Sequence, residues 1–343
     1  MIASRSSCHT AVMNLDPEHS STRSRRAPQR VVARMLLATA AITAVTVTPS
    51  AVAAITPLTR DVDSSLSTVA LAPAQGALLG HYYGNGTIAQ TDQRIGRKPS
   101  VHLTYYDFAT DDWIKSPVNA SDFADGRVPL VNVEPNDVNF DDIISGRYDA
   151  LLRKRADDAK ALGNEFFVDF AAEMNGDEGW GGHDPATYVA AWRHIHDIFV
   201  ARGARNVVWV WCPNNEDAEG TPSTMSYYPG DEYVDWTGID GYNWGTSDSD
   251  FNWQSFHEVF ADVYPQLAAK GKPIIIGEMA SDEVGGSKAT WINDIVPTLK
   301  KDYPLIKAIV WFDIDKERHW QINSSASALA AYRKLAQDPY LNP

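Results

Sequence analysis

Eight short runs of apolar and β-branched residues recur along the chain, and most of them end at a polar residue, a glycine or a proline. Runs that are apolar almost throughout are typical of strands buried on both faces, as in a parallel sheet. Eight is also the number of parallel strands that closes a β/α barrel. The runs cover residues 77–83, 101–108, 127–135, 166–175, 206–214, 235–244, 272–280 and 306–314.

Helical patterns separate several of these runs. Apolar residues repeat at helical spacing from Leu152 to Leu162 and stop at Gly163, which is typical of a helix end. The connections after the first, second and fifth runs carry weak helical signals, and we expect them to be mostly loop. Strands alternating with helices predict an α/β fold, a (β/α)8 TIM barrel, as a single domain over residues 77–343. Further helical patterns lie around residues 184–203, 256–271, 291–299 and 329–335.

Residues 1–53 have the pattern of a signal peptide. Arginines are frequent in residues 1–34, an apolar stretch follows at 35–47, and the sequence AVA at 51–53 resembles a cleavage site. The apolar stretch is shorter than the ~20 residues that span a bilayer as a helix, which favours cleavage over a retained anchor. We therefore expect a secreted, extracellular protein with a flexible lead-in at residues 54–76.

Charge restricts the partners of this chain. Its formal net charge is −14 at pH 7, and loss of the arginine-rich leader would make the remainder more acidic. Such a charge repels nucleic acid and anionic lipid, so we expect neither as a partner, no membrane association after signal cleavage, and a monomer. Of the two cysteines, only Cys212 remains after cleavage, and we expect it to be a buried, inert thiol.

Two glutamates lie at the ends of predicted strands. Glu173 is near the end of the fourth run and Glu278 is near the end of the seventh. Barrels of this kind carry their active sites at the C-terminal ends of the strands, and hydrolysis of a glycosidic bond requires two carboxyl groups. Glu134, at the end of the third run, is a further acid, which we expect to line the pocket.

Several motifs resemble glycoside hydrolase family 26, whose members include endo-β-1,4-mannanases and some lichenases and xylanases. The resemblance extends over roughly residues 77–322. The order and spacing of the motifs are more specific than any one of them alone. They are ISGRYDALLRKRADDAKALG ahead of the fourth strand, EMNG at 173–176, WCPN at 211–214, YYPGDEYVDWTGIDGYNW at 227–244 and IGEM at 277–280.

The resemblance implies a role for each matching residue. Glu173 would be the general acid/base and Glu278 the nucleophile of a retaining reaction. Tyr242 would hydrogen-bond the nucleophile and keep it ionised, although a tyrosine there could also be an ordinary core residue. Trp311 would form an aromatic floor under the reacting sugar. We also expect Asn175, within EMNG, to contact substrate.

The chain departs from the family pattern beside the first glutamate. The family usually has histidine immediately before the acid/base and arginine three positions earlier, where this chain has Ala172 and Asp169. The family's tryptophan after EMNG also lies nearer to the motif than Trp180 does. Trp180 and Trp244 remain candidates for stacking on sugar rings, whereas Trp192 and similar residues more naturally fill the core.

The sequence contains no familiar cofactor or metal motif. The glycines at 80–86 lack the spacing of a nucleotide-binding loop, and no HExxH, paired CxxC or EF-hand pattern occurs. We therefore expect no cofactor and no metal. The combined hypothesis is a retaining endo-glycosidase acting on a β-1,4-linked polysaccharide, with mannan as the leading substrate. The alternatives are a mixed-linkage β-glucanase, a xylanase, or a sugar-binding barrel without catalysis.

Overall fold

The computed structural model describes residues 69–84, 86–176, 180 and 184–343. The predicted signal peptide (1–53) and most of the predicted lead-in (54–76) lie outside these residues, so both stay predictions. Within the described ranges, no helix is long and apolar enough to cross a membrane.

Eight parallel strands, β1 to β8, form a closed barrel in chain order, with β8 paired to β1. Each strand overlaps one of the eight predicted runs, and the predicted (β/α)8 TIM barrel is confirmed. Parallel pairing leaves both faces of every strand covered, which explains why the runs are apolar throughout. The strands are β1 Leu78–Tyr82, β2 Val101–Asp107, β3 Val128–Glu134, β4 Phe166–Phe170, β5 Val207–Trp211, β6 Trp236–Asn243, β7 Ile274–Ser281 and β8 Ile306–Phe312.

Helices surround the barrel and connect most consecutive strands. The described part of the chain contains nine α-helices, and six of them fall in regions where the sequence has helical periodicity. The helices are α1 Ile88–Ile95, α2 Pro117–Ala124, α3 Phe140–Ile144, α4 Asp149–Leu162, α5 Pro185–Arg202, α6 Phe256–Phe260, α7 Tyr264–Ala268, α8 Lys288–Lys301 and α9 Ala326–Ala336.

The connections that were expected to be loops differ in outcome. The expectation is wrong after β1 and β2, where α1 and α2 form. The side chains of Thr87 and Ser116 each accept a backbone N–H at the start of their helix, and Pro117 occupies the first turn of α2. Such caps stabilise a helix by about 1 kcal/mol, and an apolar pattern over two turns does not reveal them. After β5 the expectation is confirmed, since only two short 3-10 turns form, Thr224–Tyr227 and Asp231–Tyr233.

The predicted helix around residues 256–271 forms as two five-residue helices, α6 and α7. Pro265 lies in the first turn of α7. Proline has no N–H to donate to the carbonyl four residues earlier, so a continuous helix would lose that bond. The apolar spacing is the same in both arrangements, and only the proline indicates the break.

Large aromatic residues fill the space between the strands and the helices. Trp192 of α5 contacts Phe170 of β4 and Trp209 of β5, with ring centroids 6.3 and 6.1 Å apart. All three side chains are buried, as expected for Trp192. Truncation of a core aromatic to alanine costs roughly 3–5 kcal/mol, so this layer carries much of the stability of the barrel.

A buried arginine connects the first two helices to the barrel. Arg127, just before β3, is 2% exposed. Its guanidinium donates to the carboxylates of Asp92 on α1 and of Asp125, the residue after α2. A cation this deeply buried is stable only when it stays paired.

Arg127→Met is expected to lower the free energy of unfolding by about 3 kcal/mol, because removing one member of a buried ion pair leaves Asp92 without its cation. The control is Arg202→Met, which removes an exposed guanidinium bonded to Asp157 and should change stability little, since exposed ion pairs contribute little. Urea unfolding followed by tryptophan fluorescence measures both. Equal losses in the two variants would contradict the prediction.

Candidate active site

A cavity of about 290 Å³ opens where the C-terminal ends of the strands meet. Four of the predicted site residues line it, namely Glu134, Glu173, Trp180 and Glu278. The two predicted catalytic glutamates therefore share one cavity, although 105 positions separate them in the chain. The other lining residues are Tyr82, Tyr105, Asn132, Ala172, Phe312, Ile314 and Lys316.

Glu278 of β7 accepts hydrogen bonds from two tyrosine hydroxyls. Tyr105 of β2 donates to its Oε1, and Tyr242 of β6 donates to its Oε2. Burial raises the pKa of Glu278 above its ordinary value and Glu134 adds to the rise, while the two hydroxyl bonds and Lys316 oppose it. The carboxyl group is therefore fixed in orientation, and it holds a proton more readily than an exposed glutamate does.

Tyr105 is a functional residue that the sequence reasoning missed, whereas the resemblance had indicated the bond from Tyr242. The sequence TyrTyr at 105–106 offers two hydroxyls near the end of β2. Tyr106 bonds instead to Ser116 and Asn119 of the neighbouring helix region. Successive strand residues face opposite sides, so one of the two had to point into the barrel. The sequence does not say which.

Glu173 lies three residues beyond β4, which ends at Phe170. The predicted run continues further, but Ala171 and Glu173 have positive φ angles of 52° and 54°, a left-handed conformation that ends the strand and costs of order 1–3 kcal/mol per residue. The Glu173 N–H donates to the Cys212 carbonyl at 2.8 Å. Asn214 Nδ2 donates to Glu173 Oε1 at 2.8 Å. This strained turn, rather than a strand end, places Glu173 at the cavity.

The predicted substrate contact of Asn175 is wrong, because this side chain is fully buried and does not line the cavity. Its Oδ1 accepts the backbone N–H of Asn214 at 2.8 Å. Asn175 thus fixes the loop after β5, which carries Asn214 to Glu173. The Asn175 amide nitrogen lies 3.0–3.2 Å from four oxygens of that loop, Asn214 O, Glu216 O, Asp217 Oδ1 and Thr224 Oγ1.

The predicted role of Trp311 as a floor under the sugar is also wrong. Its side chain is fully buried and contacts Trp291 of α8 and Tyr332 of α9, at ring-centroid distances of 5.9 and 5.3 Å. It therefore lies on the outer face of β8. Because side chains alternate along a strand, the next residue, Phe312, faces inward and lines the cavity.

The other aromatic candidates occupy different places at the barrel mouth. Trp180 lines the cavity, and its indole N–H donates to the carbonyl of Ala172 at 2.7 Å. Trp244 is half-buried and stacks on Phe251 at 5.0 Å, outside the set of lining residues. Contacts of Trp180, Trp244 and Glu134 with substrate stay predictions.

Two further carboxyl groups are buried beside the glutamates. Burial raises the pKa of Asp169 and of Asp240 well above the ordinary range, and the charges of Glu278 and Glu173 raise both further. Asp240 Oδ1 accepts a hydrogen bond from Cys212 Sγ at 3.2 Å. Burial likewise raises the pKa of Cys212, so its thiol stays protonated, as expected for an inert cysteine.

Within the described ranges, no three side chains of His, Cys, Asp or Glu are grouped so that they could hold a metal ion. The expected absence of a metal and of a cofactor stays a prediction.

Comparison with known proteins agrees with the motifs. The family model described as Glycosyl hydrolase family 26 matches residues 82–339. Endoglucanase H of Acetivibrio thermocellus is 40% identical over 277 residues, which are 78% of this chain and 31% of that protein. A mannan endo-1,4-beta-mannosidase of Bacillus subtilis is 28% identical over 221 residues, which are 59% of this chain and 54% of that protein. The chain thus spans about a third to a half of these relatives.

Solved structures show the same fold. A GH26 beta-mannanase from Bacteroides ovatus superposes with a TM-score of 0.57 at 17% identity, covering 78% of this chain and 90% of that chain. A Bacillus subtilis mannanase gives 0.53 at 20% identity, covering 74% and 84%. At these identities the likeness concerns the fold alone. The family match, which includes every residue that lines the cavity, confirms the resemblance, and the chain belongs to glycosyl hydrolase family 26.

Proposed function

We propose that this chain is a retaining endo-glycosidase that cleaves a β-1,4-linked polysaccharide with Glu173 and Glu278. The observation that carries the proposal is that both glutamates line one cavity, each held by hydrogen bonds from different strands or loops. Membership of the family supports the reaction class. Hydrolysis of a glycosidic bond needs one carboxyl group on the leaving oxygen and a second at the anomeric carbon.

In the first step, the Glu278 carboxylate attacks the anomeric carbon while Glu173 protonates the leaving oxygen. The bonds from Tyr105 and Tyr242 leave Glu278 little rotational freedom, which favours a fixed line of attack. In the second step Glu173 removes a proton from water, and that water displaces Glu278 with a second inversion. The β configuration of the product is thereby retained.

Asn214 orients the acid. Its amide donates to one oxygen of Glu173, which sets the plane of the carboxyl group. The strained backbone at Ala171 and Glu173 keeps Glu173 at the cavity, whereas a regular strand would have continued past it along the strand direction. Strain of this kind clusters at functional sites.

Two polysaccharides are candidates for the substrate. Mannan leads by the motif resemblance, and it is the substrate named for the Bacillus subtilis relative. A β-1,4-linked glucan is the second candidate, because identity to the protein named Endoglucanase H is higher and extends over more of the chain. The endo mode of action, the signal peptide and secretion belong to the same proposal.

Replacing either glutamate by glutamine is expected to lower the release of reducing ends from polysaccharide by at least about 100-fold, since each acts in the transition state.

The two glutamine variants should differ on an aryl glycoside with a good leaving group, because such a leaving group departs without being protonated. Glu173→Gln should then release about one aryl group per enzyme in a burst, and Glu278→Gln none. Glu165→Gln, at the opposite end of β4, is the control. A burst from Glu278→Gln would reverse the roles, and a first product of α configuration would contradict retention.

Tyr105→Phe is expected to move the acid limb of the kcat/KM profile to higher pH. The lost hydroxyl bond had favoured the charged carboxylate, so the pKa of Glu278 rises further. The nucleophile is then protonated, and activity lost, at a higher pH. Profiles of the wild type and of Tyr106→Phe, whose hydroxyl faces α2, provide the comparison. If the acid limb of Tyr105→Phe stayed at the wild-type pH or moved to lower pH, the Tyr105 hydroxyl would not support the nucleophile.

Mannan or a β-1,4-linked glucan should be hydrolysed at least about tenfold more efficiently than xylan, because xylose lacks the hydroxymethyl group and loses its contacts in the cavity. Initial rates on galactomannan, mixed-linkage β-glucan and xylan measure this. The ratio between the first two decides between the two candidates. Binding without release on all three polymers would favour a non-catalytic sugar-binding barrel.

A further inference from the structure

The β8–α9 loop (residues 313–325) forms one wall of the cavity. Its Lys316 lines the cavity. The ring of its Trp320 lies 5.0 Å from that of Tyr242, whose hydroxyl bonds to Glu278. The position of this loop therefore affects both the shape of the cavity and the support of the glutamate.

Three consecutive carbonyls of the loop accept hydrogen bonds from buried side chains. Lys288, the first residue of α8, donates from Nζ to the carbonyls of His319 at 2.6 Å and Gln321 at 2.7 Å. The indole N–H of Trp311 donates to the carbonyl of Trp320 at 2.9 Å. Both donors are completely buried. The middle of the loop is thus bound from the interior by side chains of two other elements.

The third hydrogen of the Lys288 ammonium also goes to the loop. It is donated to Ser324 Oγ at 2.9 Å, and Ser324 Oγ in turn donates to Glu283 Oε1 at 2.7 Å. An ammonium group has three hydrogens to donate, and all three are used on residues 313–325.

Burying a lysine at this position is energetically unfavourable. Lysine is rarely buried completely, and the first turn of a helix disfavours a cation. Burial lowers the pKa of Lys288 to about 8, while Glu283, Asp313 and Asp282 oppose the fall. An apolar side chain would fill the same space without this cost, so the contribution of the charge is its three bonds to the loop.

We propose that Lys288 and Trp311 form a buried anchor that positions the β8–α9 loop, and through Trp320 the Tyr242–Glu278 pair. The inference rests on the proposed function, since it makes both side chains positioning residues for the hydrolytic site. It also gives Trp311 a role other than sugar binding, because its indole N–H holds the loop while its ring packs between β8 and the helices.

Hydrogen exchange followed by mass spectrometry tests the anchor without reference to activity. In Lys288→Met and in Trp311→Phe, amides of residues 313–325 should exchange about tenfold or more faster, since a bond that closes the loop is lost. Exchange in β1 to β7 should stay at the wild-type rate. Lys301→Met, at the exposed end of α8, is the matched lysine control and should leave the loop unchanged.

The pH profile of kcat/KM tests the connection to Glu278. Both variants should shift the acid limb to higher pH, as a displaced Tyr242 supports the charged carboxylate less. Trp311→Phe keeps every charge, so its shift cannot come from loss of the lysine cation. A residue with a merely structural role would lower the melting temperature and leave the acid limb in place.

If the loop amides of both variants exchanged at the wild-type rate, the proposed anchor would be wrong. It would also be wrong if exchange became faster over the whole barrel. Faster loop exchange with an unmoved acid limb overturns the connection to Glu278. If Lys288→Met does not fold, Trp311→Phe alone decides both points. A wild type that hydrolyses none of the polysaccharides overturns the proposed function, and the exchange rates then still decide whether the anchor exists.

Discussion

Closure of the parallel sheet is the constraint on which the rest of this structure depends. Pairing of β1 with β8 over five residue pairs removes the two edges that an open sheet would expose. The same closure brings the C-terminal ends of all eight strands into one ring. Tyr105, Tyr242 and Glu278 come from β2, β6 and β7, and they meet only because the ring is closed.

Carboxyl groups that are wholly or partly buried are concentrated in and beside the cavity. Glu278, Asp169 and Asp240 all have pKa values raised by burial, so keeping several of them charged at once is unfavourable. Two tyrosine hydroxyls offset part of this cost at Glu278 alone. These bonds favour the charged form of Glu278, and the apolar layer around the barrel supplies stability that offsets the burial of the acids.

The residues that the sequence analysis proposed for the site divide into two groups. Glu173, Glu278 and Trp180 line the cavity, whereas Asn175 and Trp311 hold loops in place from positions that a ligand does not reach. Glu173 and Asn175 even belong to the same motif, EMNG. A motif therefore indicates that a residue matters to the site, but not whether it contacts the substrate or supports a residue that does.

The sequence by itself determined the fold class, the eight strands and the choice of two glutamates as candidates for the barrel mouth. It could do so because apolar runs and the order of motifs can be read along the chain without knowing which segments are neighbours in space. It did not determine α1 and α2, whose caps are single side chains, nor the left-handed turn at Ala171 and Glu173, since φ angles leave no trace in an apolar run. The tertiary structure alone decided which of Tyr105 and Tyr106 points inward and that Phe312, rather than Trp311, reaches the cavity. Those choices depend on the register of each strand relative to its neighbours around the barrel, which is a relation between segments far apart in the chain.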